Sequence, residues 1–385
     1  MNVLHAPKNV GSHPSSLARA ENAVRAAAGL PGRSWSVNFS PRPNVDPADE
    51  DYPLRAMASR GLLGRVAYAT APLAYGLRGA RRFDVLHLNF GESLFSFSRR
   101  FSSLEMLDLP LWKALGKRVF MTFQGCDVRQ KGLSARAAVS ACRAGECDYA
   151  ECDAALDRKR GGMVERVRAH ADKVFCLNPD LVAFVPGAEF LPYASVHPGL
   201  VAPRPTDRPP SGPPTIVHAP TSRSIKGTRH VEAASKALQS ALPHRLVMIE
   251  NIDRAEVGAL LQEADLVVDQ LLVGWYGGLA VEAMARGVPV VAYIDPAQRA
   301  VVPPGMGEEL PIVSATPDSL VDVLAVHLSD REGLRARGDR GLEYVRRWHD
   351  PLAIAARMLA LYAEPGQSFW AGFPASSPPG PTTNP

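Results

Sequence analysis

A chain of 385 residues, 46% hydrophobic and 21% charged, has the length and composition of two or three folded domains with cores of their own. Its net charge of +4 is small and spread out, and no Lys/Arg-dense block with interleaved aromatics occurs, so nucleic acid is not an expected partner. The opening Met1-Asn2-Val3-Leu4-His5 lacks the charged and apolar regions of a secretory leader. The most apolar stretch, Gly61 to Leu77, is interrupted by Arg65 and Pro72 and falls short of a membrane span. Five cysteines, an odd number without a leader, fit reduced thiols and a cytoplasmic location.

In chain order, Val3-Leu4-His5-Ala6 reads as a strand and Ser15 to Gly29 as a helix, with Leu17, Ala20, Val24 and Ala28 at helical spacing and Gly29 as its stop. Asp84 to Phe90, Arg118 to Phe123 and Lys173 to Leu177 are strand candidates. They are mostly apolar rather than alternating, as strands covered on both faces are. The stretch from Pro198 to Pro214 is rich in proline and reads as a semi-rigid connector. The alternation then restarts. Thr215 to His218, Arg245 to Ile249, Leu266 to Asp269 and Pro289 to Tyr293 read as strands. Thr228 to Leu242, Ala255 to Ala264, Gly278 to Arg286, Pro317 to Leu328 and Pro351 to Ala363 read as helices. A βαβα series in each half predicts two doubly wound α/β domains. The expected division is an N-terminal domain over 1–202, a connector over 203–214 and a C-terminal domain over 215–350. A helix over 351–363 then crosses back to the first domain, and a disordered tail covers 364–385, which is Pro/Ser/Thr-rich.

Two segments carry the chemistry. The first is Gly274-Trp275-Tyr276-Gly277-Gly278-Leu279-Ala280-Val281-Glu282-Ala283-Met284-Ala285-Arg286-Gly287-Val288-Pro289-Val290-Val291. Gly277 and Gly278 let backbone approach a ligand where a helix begins, and free N–H groups with the positive dipole end there form an anion site. Glu282, about one turn further on, is placed to accept hydrogen bonds from vicinal hydroxyls such as those of a ribose. The second segment, His218 to Thr228, follows a strand and sets Arg223 and Lys226 in the crevice where open α/β sheets bind ligands, as two cations for a diphosphate. Taken on spacing alone, an ordinary packed helix and a pair of surface cations remain alternatives.

Together these segments resemble the retaining glycosyltransferases of the large family four, which have the GT-B fold. The likeness runs from about Thr215 to Val291, with Lys226-Gly227 and the string Glu282 to Val291 as its closest matches, and is looser in the N-terminal half. It implies transfer of a sugar from a nucleotide diphosphate sugar to an acceptor hydroxyl with retention, without cofactor or metal. The acceptor would be a small molecule, a glycan or a lipid-linked molecule. It also implies that the Lys-Gly element holds the donor diphosphate and that Glu282 holds the ribose. Where the family usually carries a further Glu, eight positions earlier, this chain has Gly274, and Arg223 stands nearer Lys226 than the family's Arg does. Asn9-Val10-Gly11-Ser12 resembles the cleft-facing loop after the first strand. Phe123-Gln124-Gly125-Cys126-Asp127 resembles the loop where many members place a His beside the donor sugar; Gln124 stands there, able to hydrogen-bond but not to act as an acid or base.

The catalytic candidates are therefore Lys226, Arg223 and Gln124. The donor-binding candidates are Gly11, Gly277, Gly278, Leu279 and Glu282, and His87 and Asp127 are candidates on the acceptor side. Cys126, Cys142, Cys147 and Cys152 lack a C-x2-C knuckle and are expected to be free thiols rather than zinc ligands. Asp49-Glu50-Asp51 reads as a solvated acidic loop. Arg60, Arg65, Arg78, Arg81 and Arg82 suit either a solvated face or contact with an anionic membrane or acceptor. A same-fold sugar-nucleotide epimerase and a non-catalytic binding protein are the alternative functions.

Overall fold

The computed structural model describes residues 1–41, 45–53, 59, 61–95, 105–197, 199, 201–204, 212–250, 252 and 254–373. Two parallel sheets form its framework. The first contains β1 (Val3–Ala6), β2 (Ser34–Asn38), β3 (Glu50–Asp51), β4 (Val85–Asn89), β5 (Arg118–Phe123), β6 (Lys173–Cys176) and β7 (Glu189–Phe190), in the order β3-β2-β1-β4-β5-β6-β7. The second contains β8 (Thr215–His218), β9 (Arg245–Met248), β10 (Leu266–Val268), β11 (Val290–Ala292) and β12 (Val313–Ser314), in the order β12-β11-β10-β8-β9. Every recorded pairing is parallel, for example Leu4 with Leu86 and Val267 with Val290. The central strands are buried along their whole length, which accounts for their mostly apolar sequences. In the first sheet the winding direction reverses between β1 and β4, and in the second between β8 and β10. Each reversal opens a crevice at the carboxyl ends of the strands.

The helices that matter below are α1 (His13–Ala28), α2 (Leu62–Arg82), α3 (Ala154–His170), α4 (Arg223–Lys226), α5 (Thr228–Leu238), α6 (Arg254–Glu263), α7 (Gly278–Met284), α8 (Leu320–Ser329), α9 (Arg331–Trp348) and α10 (Pro351–Ala363). Helix α2 runs through Pro72. Glu50 and Asp51, expected in a solvated loop, form edge strand β3 against Val37 and Asn38. Asp49 is tied down as well, its Oδ2 accepting from the Ser36 amide at 2.7 Å and from the Ser36 hydroxyl at 2.9 Å.

Asp350 caps α10 by accepting from the Leu352 amide, with Pro351 at the first helical position where its missing N–H costs nothing. The helix packs on α1, burying Ile354, Met358, Leu361 and Tyr362 in one core with Val3, Leu17 and Val85. The chain beyond it is held too. Phe369 is fully buried, its amide donates to Glu189 at 2.6 Å, and its carbonyl accepts from Arg357 at 2.9 Å. Phe373 stacks on Trp348 with ring centroids 6.4 Å apart. The expectation of a disordered tail from 364 is thus corrected for residues 364–373, because their aromatic side chains complete the core. Residues 374–385 and most of the connector, 205–211, lie outside the described residues.

This seam is built on buried histidines. His87 Nδ1 meets the Tyr362 hydroxyl at 2.6 Å and its Nε2 the Thr122 hydroxyl at 2.7 Å. His13 Nδ1 accepts from the Ala194 amide at 3.1 Å. His349 Nδ1 donates to the Tyr193 carbonyl at 3.0 Å, and its Nε2 meets the Tyr276 hydroxyl at 2.9 Å. Burial disfavours the charged ring, lowering His349 to about 4 and His13 to about 3 and pulling His87 well below the usual range. In the unfolded chain these rings protonate near pH 6.5, so the unfolded state binds more protons below that pH. Stability is therefore expected to be fully present above about pH 6.5 and to fall as pH drops toward 4, by roughly 3 kcal/mol for His349 alone. Urea unfolding followed by tryptophan fluorescence at several pH values reads this directly. His349→Gln should flatten the slope, and a wild-type stability unchanged between pH 7 and 4.5 would rule the explanation out.

Candidate functional site

The crevice of the second sheet is assembled from two neighbouring strand ends. At the end of β8, His218 is fully buried, with Nδ1 donating to the Val268 carbonyl at 2.7 Å and Nε2 meeting the Thr228 hydroxyl at 2.9 Å. It thereby fixes β8 to β10 and to the start of α5. The chain then makes α4, capped by Ser222 and ended by Gly227 at φ +75°. A Cβ on Gly227 would stand 3.2 Å from the Leu271 Cβ, so both the turn and the close approach call for glycine. This geometry carries Lys226 to the end of β10.

There it meets Asp269, which is completely buried. One carboxylate oxygen of Asp269 accepts from Lys226 Nζ at 2.6 Å, and the other accepts from the Gly277 amide, also at 2.6 Å. The carboxylate therefore holds the ammonium at the entrance of α7. A Cβ placed on Gly277 would lie 3.1 Å from Lys226 Nζ and 3.3 Å from the carboxylate, so the backbone and the cation fill this corner together. Gln270 supports the loop by donating to the Trp275 carbonyl at 2.5 Å. Trp275 and Tyr276 are fully buried, and the Tyr276 hydroxyl reaches Tyr344 at 3.1 Å as well as His349. Asp269 uses one of the three ammonium donors of Lys226, whose side chain is 12% exposed, and the first-turn N–H groups of α7 stand beside it. A cation with donors to spare and a helix start together make a site for an anion of more than one oxygen.

The structure brings Lys226, Gly277, Gly278 and Leu279 to this corner, with Glu282 one turn further along α7 and partly exposed. Arg223, expected as the second diphosphate cation, begins α4, which Lys226 ends. Its guanidinium is ion-paired with Glu250 at 2.8 Å and with Glu232, and it is half exposed, so two carboxylates balance its charge. Gly274, at φ +87°, makes a turn whose Cβ would face Asp295 at 3.3 Å. Asp269 was not singled out in the sequence. Its signal was a carboxylate directly ending an apolar strand, a place where a buried charge needs a partner.

At the first sheet, Gly11 (φ +58°) turns the chain from β1 into α1, and a Cβ there would meet no heavy atom within 4 Å. Gln124 lies at the end of β5 and donates to the Asn89 side chain at 3.2 Å. Lys8 is paired with Glu92 at 2.5 Å and sits 5.0 Å from the centre of the Phe90 ring, a second polar cluster on this edge that the sequence did not mark. The two acceptor-side candidates are both hydrogen-bonded within the fold. His87 is fully buried with both ring nitrogens engaged in the seam, beyond reach of a ligand. Asp127 accepts from the Gln124 amide at 3.0 Å and the Gly125 amide at 2.5 Å, shaping the loop that carries Gln124.

An arm of the first unit ties the two edges together. The Ala141 amide donates to the Leu272 carbonyl at 3.1 Å, Ser224 donates to Asp148 at 2.6 Å, and Glu146 accepts from Arg229 at 2.6 Å and meets His230 at 2.9 Å. Cys142 and Cys147 lie in this arm. Among the described residues, no group of three or more His, Cys, Asp or Glu side chains is gathered to hold a metal ion.

No family model matches this chain, and no curated protein matches it. Solved structures do. Sucrose-phosphate synthase from Thermosynechococcus elongatus is 16% identical, with 94% of this chain and 98% of that one aligned at a TM-score of 0.54. HepE from Anabaena in complex with UDP-glucose is 11% identical, with 94% and 99% aligned at 0.55. An alpha-glucosyltransferase in complex with UDP and a DNA 13-mer is also 11% identical, with 94% and 99% aligned at 0.55. At such identities the likeness establishes architecture over nearly the whole length of each chain. The fold is GT-B, two Rossmann-like units, and the corner described above lies at the strand ends of the second.

Substituting Asp269 tests what organises this corner. Asp269→Asn keeps the shape but leaves the Lys226 ammonium largely buried without its counter-charge. We expect a loss of about 3 kcal/mol in chemical denaturation. The double variant Lys226→Met/Asp269→Asn should recover part of that loss, because no lone charge remains. A single variant as stable as the wild type would show that the pair does not organise the site.

Proposed function

We propose that this chain is a retaining glycosyltransferase that needs no metal and moves a hexose-type sugar from a nucleotide diphosphate sugar to an acceptor hydroxyl. The observation that carries the proposal is the Lys226 ammonium, held by buried Asp269 beside Gly277 where α7 begins. In this reading the diphosphate lies on Lys226 and on the N–H groups of Gly278 and Leu279. Glu282 accepts from the ribose hydroxyls, and the Gly11 loop and Gln124 approach the donor from the first unit. When the bond between sugar and diphosphate breaks, negative charge grows on the leaving group. A fixed cation stabilises that growth without rearranging. The UDP-glucose bound to HepE and the UDP bound to the alpha-glucosyltransferase make UDP-sugars the first donors to try. The resemblance to family four supports retention. The proposed units are 1–202 and 215–350 with the helix 351–363 returning to the first, and the free cysteines support a cytoplasmic location.

Lys226→Ala is expected to lower turnover on the order of 100-fold or more, with a smaller loss of donor affinity. Because that change leaves Asp269 buried without its cation, the measurement is made at a temperature where circular dichroism shows the variant folded. Steady-state kinetics, with water as acceptor if need be, separates the effects: normal turnover with a raised Michaelis constant would make Lys226 a binding residue only. Glu282→Gln is expected to weaken nucleotide binding by roughly 1.5–3 kcal/mol in calorimetry. Unchanged affinity would remove Glu282 from the site. Turnover is expected to survive EDTA, and loss restored by magnesium or manganese would overturn the metal-independent mechanism.

A further inference from the structure

Helix α2 lies on the outside of the first unit, and its two faces differ sharply. On the inner face, Tyr75 packs against Phe39 and Tyr52 at 5.9 and 6.2 Å between ring centroids, and Gly79 admits Trp112 and Leu4. On the outer face, Leu62 is 77% exposed, Leu63 85%, Val66 49% and Leu77 49%. At about 100° per residue, Leu62, Val66, Leu73 and Leu77 fall within roughly 60° of one another, with Leu63 at the margin of that arc. Arg65 flanks it on one side and Arg78 on the other, with Arg81 near its edge, and all three are exposed. No Asp or Glu occurs from Leu62 to Arg82, and none of the ion pairs among the described residues engages Arg65, Arg78 or Arg81. An apolar strip flanked by arginines, with no acidic residue, has the chemistry of a helix lying in the headgroup layer of an anionic bilayer. A protein partner would need acidic groups flanking an apolar strip of its own, and a second copy would set these arginines against each other. No described helix is long and apolar enough to cross a membrane, so the contact would be along the surface.

We propose that α2 docks the protein on anionic phospholipid surfaces through Leu62, Leu63, Val66 and Leu77, with Arg65, Arg78 and Arg81 as electrostatic anchors. The surface adjoins the first unit's ligand edge. The chain leaving β4 through Phe90 and Gly91 reaches Leu94 and Phe95, which lie 3.3 Å from the position of a Cβ on Gly76 of α2. Docking would thus bring that edge to the lipid surface. The proposal does not depend on the reaction proposed above, since it concerns adsorption alone.

The test is flotation of the full chain with vesicles of phosphatidylcholine containing roughly one-third phosphatidylglycerol, against pure phosphatidylcholine, at low and high salt. Binding to the anionic vesicles that weakens with salt is expected. Leu62→Glu/Leu63→Glu should reduce it at least tenfold, and Arg65→Gln or Arg78→Gln about fivefold each. Thermal melting of the leucine variant should be unchanged, because both side chains are already exposed. Absence of binding to anionic vesicles at low salt, or binding indifferent to the leucine variant, overturns the proposal. So does light scattering that shows a dimer converted to monomer by the same variant, which would mean that a second copy covers this face.

Discussion

The contact between Lys226 and Asp269 is where two strand ends, one tight turn and one helix start become a site. Asp269 is fully buried and divides its two oxygens between a side-chain ammonium and a main-chain amide. A buried carboxylate needs such partners, and here they come from elements that must both be in place to supply them. The loop from 270 to 277 is therefore anchored at its exit by the same group that positions the cation. The cation in turn depends on Gly227, whose left-handed turn ends α4. Charge, backbone and helix start are preorganised before any ligand arrives, which is the property that electrostatic stabilisation of a leaving group requires.

The second constraint is the seam made by α10 and the residues after it. Its histidines are neutral and serve as fixed hydrogen-bonding pieces of core between aromatic hydroxyls and backbone groups. Because α10 is the last of the described helices yet packs on α1, the first unit is completed by residues that follow the second sheet in sequence. Tyr276 links this seam to the site, for it lies next to Gly277 and meets His349. The arm through Ala141, Glu146 and Asp148 ties the two units from the other side.

Much of this could be read from the sequence because buried parallel strands leave apolar runs and because glycines mark turns. The strands at 3–6, 85–89, 118–123, 215–218 and 266–268 were legible for that reason, as was the helix at 351–363. Strand β2, with the alternating string Ser34-Trp35-Ser36-Val37-Asn38, and edge strand β3, only two residues long, have no such signature. Helices α3 and α9 carry many charges and few apolar side chains, and so escaped a reading based on apolar runs. At the site, Lys226 and Gly277 were marked by local pattern, but their meeting through Asp269 depends on β8 and β10 being neighbours, which is a property of topology. Arg223 and His87 show the complementary limit. Residue type and spacing fit a ligand role, and only tertiary partners, two glutamates in one case and Tyr362 with Thr122 in the other, show those groups already engaged.

The most direct measurement is a crystal structure with a nucleoside diphosphate bound. The account predicts the terminal phosphate within hydrogen-bonding distance of Lys226 Nζ and of the Gly278 and Leu279 amides, with the ribose hydroxyls on Glu282 and Asp269 still holding the ammonium. A diphosphate bound elsewhere, on Arg223 or against the first sheet, with the Lys226 corner untouched, would contradict it.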